Sequence, residues 1–215
     1  MKTKFSVIFV LLIAAKISFA AAYPTHWWQE ISDDQRQGTW EILPHEAKKG
    51  ELILSKRNEL GVFSNLAHTP FFFEDEHYAS IEALWQMMKY PDLSDTKDPR
   101  NVIHDYPFTR MQVFSMHGFD AKHAGDAANE INKIHKFNFV TYKHHHFNYK
   151  DMKQGSQLHY KIIKSAIEAK VKQNPSIYKL LLKTKGLRLM PDHKQGTNLP
   201  KSYAYHEILM EIRDR

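Results

Sequence analysis

Between residues 157 and 171 apolar side chains return every three or four positions: Leu158, Ile162, Ile163, Ala166 and Ile167, with Lys170 continuing the stripe. That spacing predicts an amphipathic helix over Gln157–Val171. Asn174-Pro175 then restarts a helix, asparagine as cap and proline at the first position, and Gly186 ends it. A further stripe, Ala124, Ala128, Ile131 and Ile134, predicts a helix with Asp120 as its cap and Gly125 inside it. Ser80 caps another, which runs to Tyr90 and is stopped by Pro91. Tyr203–Ile212 predicts a terminal helix.

Strand signals are shorter. Glu51–Ser55 and Leu187–Met190 each predict one strand. Phe71-Phe72-Phe73, Glu74-Asp75-Glu76 and His77-Tyr78-Ala79 predict a strand, a tight turn and a second strand. Pro91–Pro107, with three prolines among Asp, Asn and Ser, predicts a loop. Residues 23–50 are polar apart from spaced tryptophans, Trp27, Trp28 and Trp40, and predict an N-terminal arm or helix folded over the main domain. No repeat or low-complexity tract interrupts residues 51–215. The expectation is a single, mostly helical α+β domain with a small hairpin or sheet.

Residues 1–22 follow a different pattern. Lys2 and Lys4 precede an almost unbroken apolar run from Phe5 to Ala15, and Ser18-Phe19-Ala20 and Ala20-Ala21-Ala22 offer small residues for cleavage. This reads as a secretory leader cleaved after Ala20 or Ala22, too short to span a bilayer. The expected mature protein is secreted or periplasmic and free of the membrane. Removing Lys2, Lys4 and Lys16 from 30 basic residues leaves 27 against 24 acidic ones, a formal +3 instead of +6. The basic pI is therefore a weak argument for a nucleic-acid partner. Hydrophobic residues at 42% and charged residues at 25% exclude a disordered or collagen-like chain. The absence of cysteine excludes disulfides, thiolate zinc sites and cysteine nucleophiles.

The densest chemistry runs from Gly61 to Tyr90. On a helix, Glu82, Gln86 and Lys89 share one face with Trp85 beside them, while Ile81, Leu84 and Met88 face the core. The pattern alone leaves a solvated helix face and a pocket wall equally open. Further along, His144-His145-His146 is expected to be a solvated loop, because consecutive histidines diverge and rarely chelate one ion. Lys161, Lys164, Lys170 and Lys172 read as a solubilising face. Asp192-His193 reads either as an acid–base pair or as a turn before the last helix. No metal and no cofactor is expected.

Phe63-Ser64-Asn65, then Pro70-Phe71, Tyr78-x-Ser80-Ile81-Glu82 and Gln86-x-x-Lys89 resemble the opening signature of the NADAR family. These are NAD- and ADP-ribose-associated N-glycosidases, whose YbiA-type members cleave riboflavin-pathway intermediates. Lys170-x-x-Gln173-Asn174-Pro175 with Leu180-Leu181-Leu182-x-Thr184 is similar to the family's second helical block, and Leu209–Arg213 to its C-terminal helix. The likeness covers roughly residues 52–213. Leu189–His193 stands where the family has an acidic residue followed by Trp-Gly, with Asp192 as the candidate counterpart, and Glu76 stands where its first hairpin turn has glycine.

The resemblance implies an enzyme that hydrolyses the N-glycosidic bond between an ADP-ribose or ribosyl-phosphate moiety and an amine or nucleobase. It implies catalytic roles for Glu82, Lys89 and Asp192, and substrate binding by Phe63, Ser64, Asn65, Trp85 and Gln86. Glu82 fits a carboxylate that stabilises charge or relays protons. Lys89 fits either a cationic contact or an amine that attacks the anomeric carbon. Trp85 or Phe63 suits stacking on a base, and Asn65 a ribose or phosphate contact. Two other readings stand beside it: a nucleotide-binding protein that has lost catalysis, and a secreted interaction protein.

Overall fold

The computed structural model describes residues 23–36, 40–151, 154–196 and 198–215, so the leader read at residues 1–22 lies outside the described residues. The predicted long helix forms as α5, Gly155–Gln173, and buries Ile162, Ile163, Ala166, Ile167 and Val171. Around it lie α1 (Asp33–Arg36), α2 (Ile81–Met87), α3 (Arg110–Phe114), α4 (Gly118–Ile134), α6 (Pro175–Lys183) and α7 (Tyr205–Arg213). Helix α5 packs against α2, α6 and α7, and α2 packs against α3 and α4.

The strands form three two-stranded sheets among the described residues. β1 (Glu51–Ile53) pairs in parallel with β6 (Arg188–Met190), Leu52 opposite Leu189. β2 (Phe71–Phe73) and β3 (Glu76–Tyr78) form the predicted aromatic hairpin. β4 (Val140–Tyr142) and β5 (His145–Phe147) form a second hairpin where the sequence predicts a loop. Helices with small sheets make this an α+β fold. None of the described helices is long and apolar enough to cross a membrane.

Both hairpins turn on two residues with positive φ, Glu74 and Asp75 in the first, Lys143 and His144 in the second. Two left-handed residues in succession match the twist of an antiparallel pair. Glu76 is therefore the first residue of β3 instead of part of the turn. The histidine triplet is divided by the same geometry: His144 sits in the turn, and His145 and His146 alternate along β5. His146 bonds Asp95 at 2.7 Å and His144 meets Ser94 at 3.1 Å, so the two engage different partners.

Other differences concern helix ends and buried charge. Ser80 caps α2 as predicted, its Oγ accepting from Ala83 N at 3.0 Å. The helix stops at Met87 instead of Tyr90, because Lys89 N bonds Gln86 O and Tyr90 N bonds Met87 O, i to i+3 contacts that tighten the last turn. Helix α4 starts at Gly118, which leaves Asp120 in its first turn and not at the cap, and Ile134 at its end is 72% exposed. Lys170 belongs to the buried stripe of α5 and not to a solvated face. The loop after Pro91 holds a 3-10 turn, Pro99–Val102, wrapped around a fully buried Arg100. The N-terminal arm is stitched to the domain: Trp27 is fully buried and its Nε1 donates to Glu59 at 2.7 Å, while Trp28 Nε1 donates to Glu51 O at 2.9 Å.

Gly125 sets how closely α2 and α4 approach. A Cβ placed on it would lie 1.6 Å from Gln86 Oε1. Gly125→Ala is expected to cost about 1–3 kcal/mol by overpacking, since the buried Gln86 side chain has to leave its bond to Glu82. A lowered midpoint in urea denaturation checks this. An unchanged midpoint would mean that the helices spread without cost.

Candidate functional site

Four backbone and side-chain ties bring separated segments into one wall. The Ser80 cap fixes the first turn of α2. Glu82 N then donates to Asn65 O at 2.9 Å, joining the start of α2 to the Ser64-Asn65 segment. From α5, Lys170 Nζ donates to Ser64 O at 2.9 Å. Burial alone lowers the pKa of this lysine to about 7. The fourth tie is Gln86 Nε2, which donates to Glu82 Oε1 at 2.5 Å.

This wall closes one side of a cavity of about 510 Å³. Ser64, Asn65, Glu82 and Trp85 line it, with His159 and Ile163 from α5. Phe119 and Lys122 come from α4, Trp40 from the arm, Lys56 and Leu66 from the segments after β1, and the C-terminal segment adds His193, Leu199, Tyr203 and others. A mostly apolar, aromatic concavity with a few convergent polar groups is the usual form of a small-molecule site.

Glu82 is the carboxyl of this cavity. Burial pushes its pKa above the ordinary glutamate range, and the bond from Gln86 and the charge of Lys89 only moderate the rise. Trp85 is held edge-on against Tyr149, centroids 4.7 Å apart, and at 4.1 Å from the His159 ring. His159 Nδ1 meets Ser202 Oγ at 2.8 Å. Its pKa is lowered to about 3, mainly by burial, so the ring is neutral, and its Nε2 has no partner among the described residues.

Asp192 is 1% exposed and lies just behind the lining. One oxygen takes the ammonium of Lys56, and the other lies 3.0 Å from His193 Nδ1. Burial acts to raise its pKa, but the bonds from His193 and Lys56 outweigh it and hold the carboxyl below its ordinary range. His193 lines the cavity, and its Nδ1 faces the Asp192 carboxyl, which orients the ring. The arm fixes this segment: Ile42 N donates to Asp192 O at 2.7 Å, and Glu41 bridges His193.

The predicted site residues thus separate into groups. Ser64, Asn65, Glu82 and Trp85 line the cavity together, and Gln86 backs Glu82. Asp192 acts on the lining through His193 and Lys56. Phe63 is 2% exposed and packs in the hydrophobic core, outside the lining. Lys89 is 5% exposed and lies beyond the end of α2, its Nζ 5.2 Å from the Trp85 ring centroid, and it is not part of this cavity's lining. Among the lining residues that sequence reasoning missed are Trp40, Phe119, Lys122, His159 and Tyr203. A signal existed for His159, which falls on the apolar stripe of α5, four residues before Ile163. Among the described residues no group of three His, Asp or Glu is placed to hold a metal ion.

No family profile and no curated protein matches the chain. Among solved structures it is similar to the NMR structure of the E. coli protein YbiA, at 17% identity and a TM-score of 0.48, over 78% of this chain and 86% of that one.

Proposed function

We propose that this protein is an N-glycosidase that hydrolyses the bond between a ribosyl-phosphate or ADP-ribose moiety and an amine or nucleobase. The observation that carries the reading is Glu82: a carboxyl in the wall of an aromatic cavity, whose pKa burial pushes above the ordinary glutamate range. The family resemblance of the segments around it supports the same chemistry, and the leader read at residues 1–22 would place it outside the cytoplasm.

Breaking a glycosidic C–N bond sends the electron pair to the leaving nitrogen and positive charge to the anomeric carbon. A carboxylic acid beside that nitrogen supplies its proton. Water then adds to the anomeric carbon and gives up a proton, for which His193 Nε2, oriented by Asp192, is the acceptor in the same cavity. The bond that breaks is C–N and the bond that forms is C–O, with no external reductant or oxidant. Trp40, Phe119 and Tyr203 offer ring faces for the base, and Lys122 and Lys194 offer positive charge for a phosphate.

The purified protein is expected to release base from ADP-ribosylated guanine nucleotide or from riboflavin-pathway ribosylamine phosphates, followed by chromatography. No release from either, with ADP-ribose still raising the melting temperature, would make the protein a nucleotide-binding module instead.

A further inference from the structure

A second cavity, of about 410 Å³, shares no lining residue with the first. It lies past the end of α2, between Lys89, the last turns of α4 and the two ends of the β4–β5 hairpin. Its charge is lopsided. Lys89, Lys133 and Lys150 line it with Glu130 as the single carboxylate.

Lys89 is built into this cavity from the backbone outward. Its carbonyl accepts from Arg100 Nη1 at 3.1 Å and from Asn132 Nδ2 at 2.9 Å, which pins the main chain. Its ammonium has the Trp85 ring as neighbour and, among the described residues, neither a hydrogen-bond acceptor nor an ion-pair partner in reach. A buried cation without an anion is costly. Burial accordingly lowers its pKa to about 8, although Glu82 and Asp126 act to raise it. Lys150 lies over the Tyr149 ring at 5.6 Å and, like Lys133, has no carboxylate partner among the described residues.

The amides around these lysines add donors. Asn132 is engaged at both ends, its Nδ2 by Lys89 O and its Oδ1 accepting from Tyr106 OH at 2.6 Å. Asn148 Oδ1 accepts from Lys150 N at 2.9 Å, which leaves its NH2 free for another acceptor. Asn129 and Asn138 also line the cavity and have no protein partner for their amides among the described residues. Cations and NH donors converge on a space that holds one carboxylate, and such a donor set calls for a ligand rich in acceptor oxygens.

We propose that this second cavity is a phosphate site, in which Lys89, Lys133 and Lys150 take the oxygens of a phosphate or phosphomonoester and Asn129 and Asn138 donate to its remaining lone pairs. The volume exceeds a bare phosphate, and Tyr149 and Phe137 offer apolar surface for whatever carries it. The proposal does not depend on the hydrolase reading, because binding is its only requirement.

The test is calorimetric titration of the protein with inorganic phosphate, with the Lys133→Gln/Lys150→Gln variant in parallel. Both lysines are exposed, so the variant is expected to melt like the wild type. A saturable site weakened at least about ten-fold in the variant is the expected result. Lys150→Glu alone gives a second reading at the rim, again expected to weaken binding. Absence of saturable binding, or equal affinity in wild type and variants, would overturn the proposal. Ribose 5-phosphate then separates the sources. One-for-one displacement of phosphate identifies the site with a sugar phosphate, and simultaneous binding identifies it with free phosphate.

Discussion

Replacing Arg100 by methionine is expected to remove about 3–5 kcal/mol of folding free energy, the cost of breaking a buried pair by deleting one partner. Arg100 and Asp98 are both without side-chain exposure. Their contact is bidentate, Nε to Oδ1 at 2.9 Å and Nη2 to Oδ2 at 2.6 Å. The same guanidinium reaches the carbonyls of Met88 and Lys89 through Nη1, at 3.4 and 3.1 Å, and Thr141 Oγ1 through Nη2 at 2.5 Å. It thus satisfies carbonyls left open where α2 ends and ties them to β4. Methionine fills similar volume but leaves Asp98 buried and without its bidentate donor.

The pH dependence distinguishes this loss from simple loss of packing. Burial alone would raise the pKa of Asp98, but Arg100 holds it at about 2, against an ordinary 3.8. A depressed carboxylate contributes stability that is present above the unfolded value and lost as pH falls through the folded one. The wild type therefore loses this contribution between pH 4 and pH 2. In the variant, burial without the arginine favours the neutral acid, so acid does not weaken this position. The gap between wild type and Arg100→Met, measured by urea denaturation, is expected to narrow as pH falls across that window. A gap that stays constant would mean that the arginine acts only through shape.

Regular periodicity made the long helices legible. The stripe of α5, the Asn174-Pro175 restart and the Ser80 cap each depend on neighbours a few residues away, and each is where the sequence puts it. The β4–β5 hairpin was hidden because its turn is built from Lys143 and His144, residues that signal solvent, not a left-handed turn. Arg100 was hidden for a related reason. A charged residue in a proline-rich loop carries no local mark of burial, and its partners Thr141 and the end of α2 are distant in sequence. Lys170 carried contradictory signals, a charge on an apolar stripe, and burial won because Ser64 O accepts a hydrogen bond from its Nζ.

The candidate site divides along the same line. Ser64, Asn65, Glu82 and Trp85 were readable because they lie within 22 residues and one helix cap aligns them. Trp40, Phe119 and Tyr203 reach the cavity from the arm, α4 and the C-terminal segment, which only tertiary packing brings together. The helical face that groups Glu82 with Lys89 fails at its last member. Helix α2 closes before Lys89, and that residue lines the second cavity instead of the first.

Glu82→Gln is expected to lower turnover about 10²–10⁴-fold while the protein melts like the wild type, the range associated with loss of a positioned acid. Glutamine keeps the shape and a hydrogen-bonding end, but it has no proton of comparable acidity to give the leaving nitrogen. In the proposed mechanism the active form is the neutral acid. Activity is therefore expected to persist above the ordinary glutamate range and to fall as pH rises through the elevated pKa of Glu82. Gln86→Leu separates the proton from the fold. The Gln86 amide favours the ionised carboxylate, so its removal raises the pKa further and is expected to carry the alkaline limb of the rate profile upward. Gly125→Ala, by displacing the same amide, is expected to move the limb in the same direction at smaller amplitude. A Glu82→Gln protein that turns over at the wild-type rate would end the assignment. An alkaline limb that stays in place in Gln86→Leu would show that another group sets it.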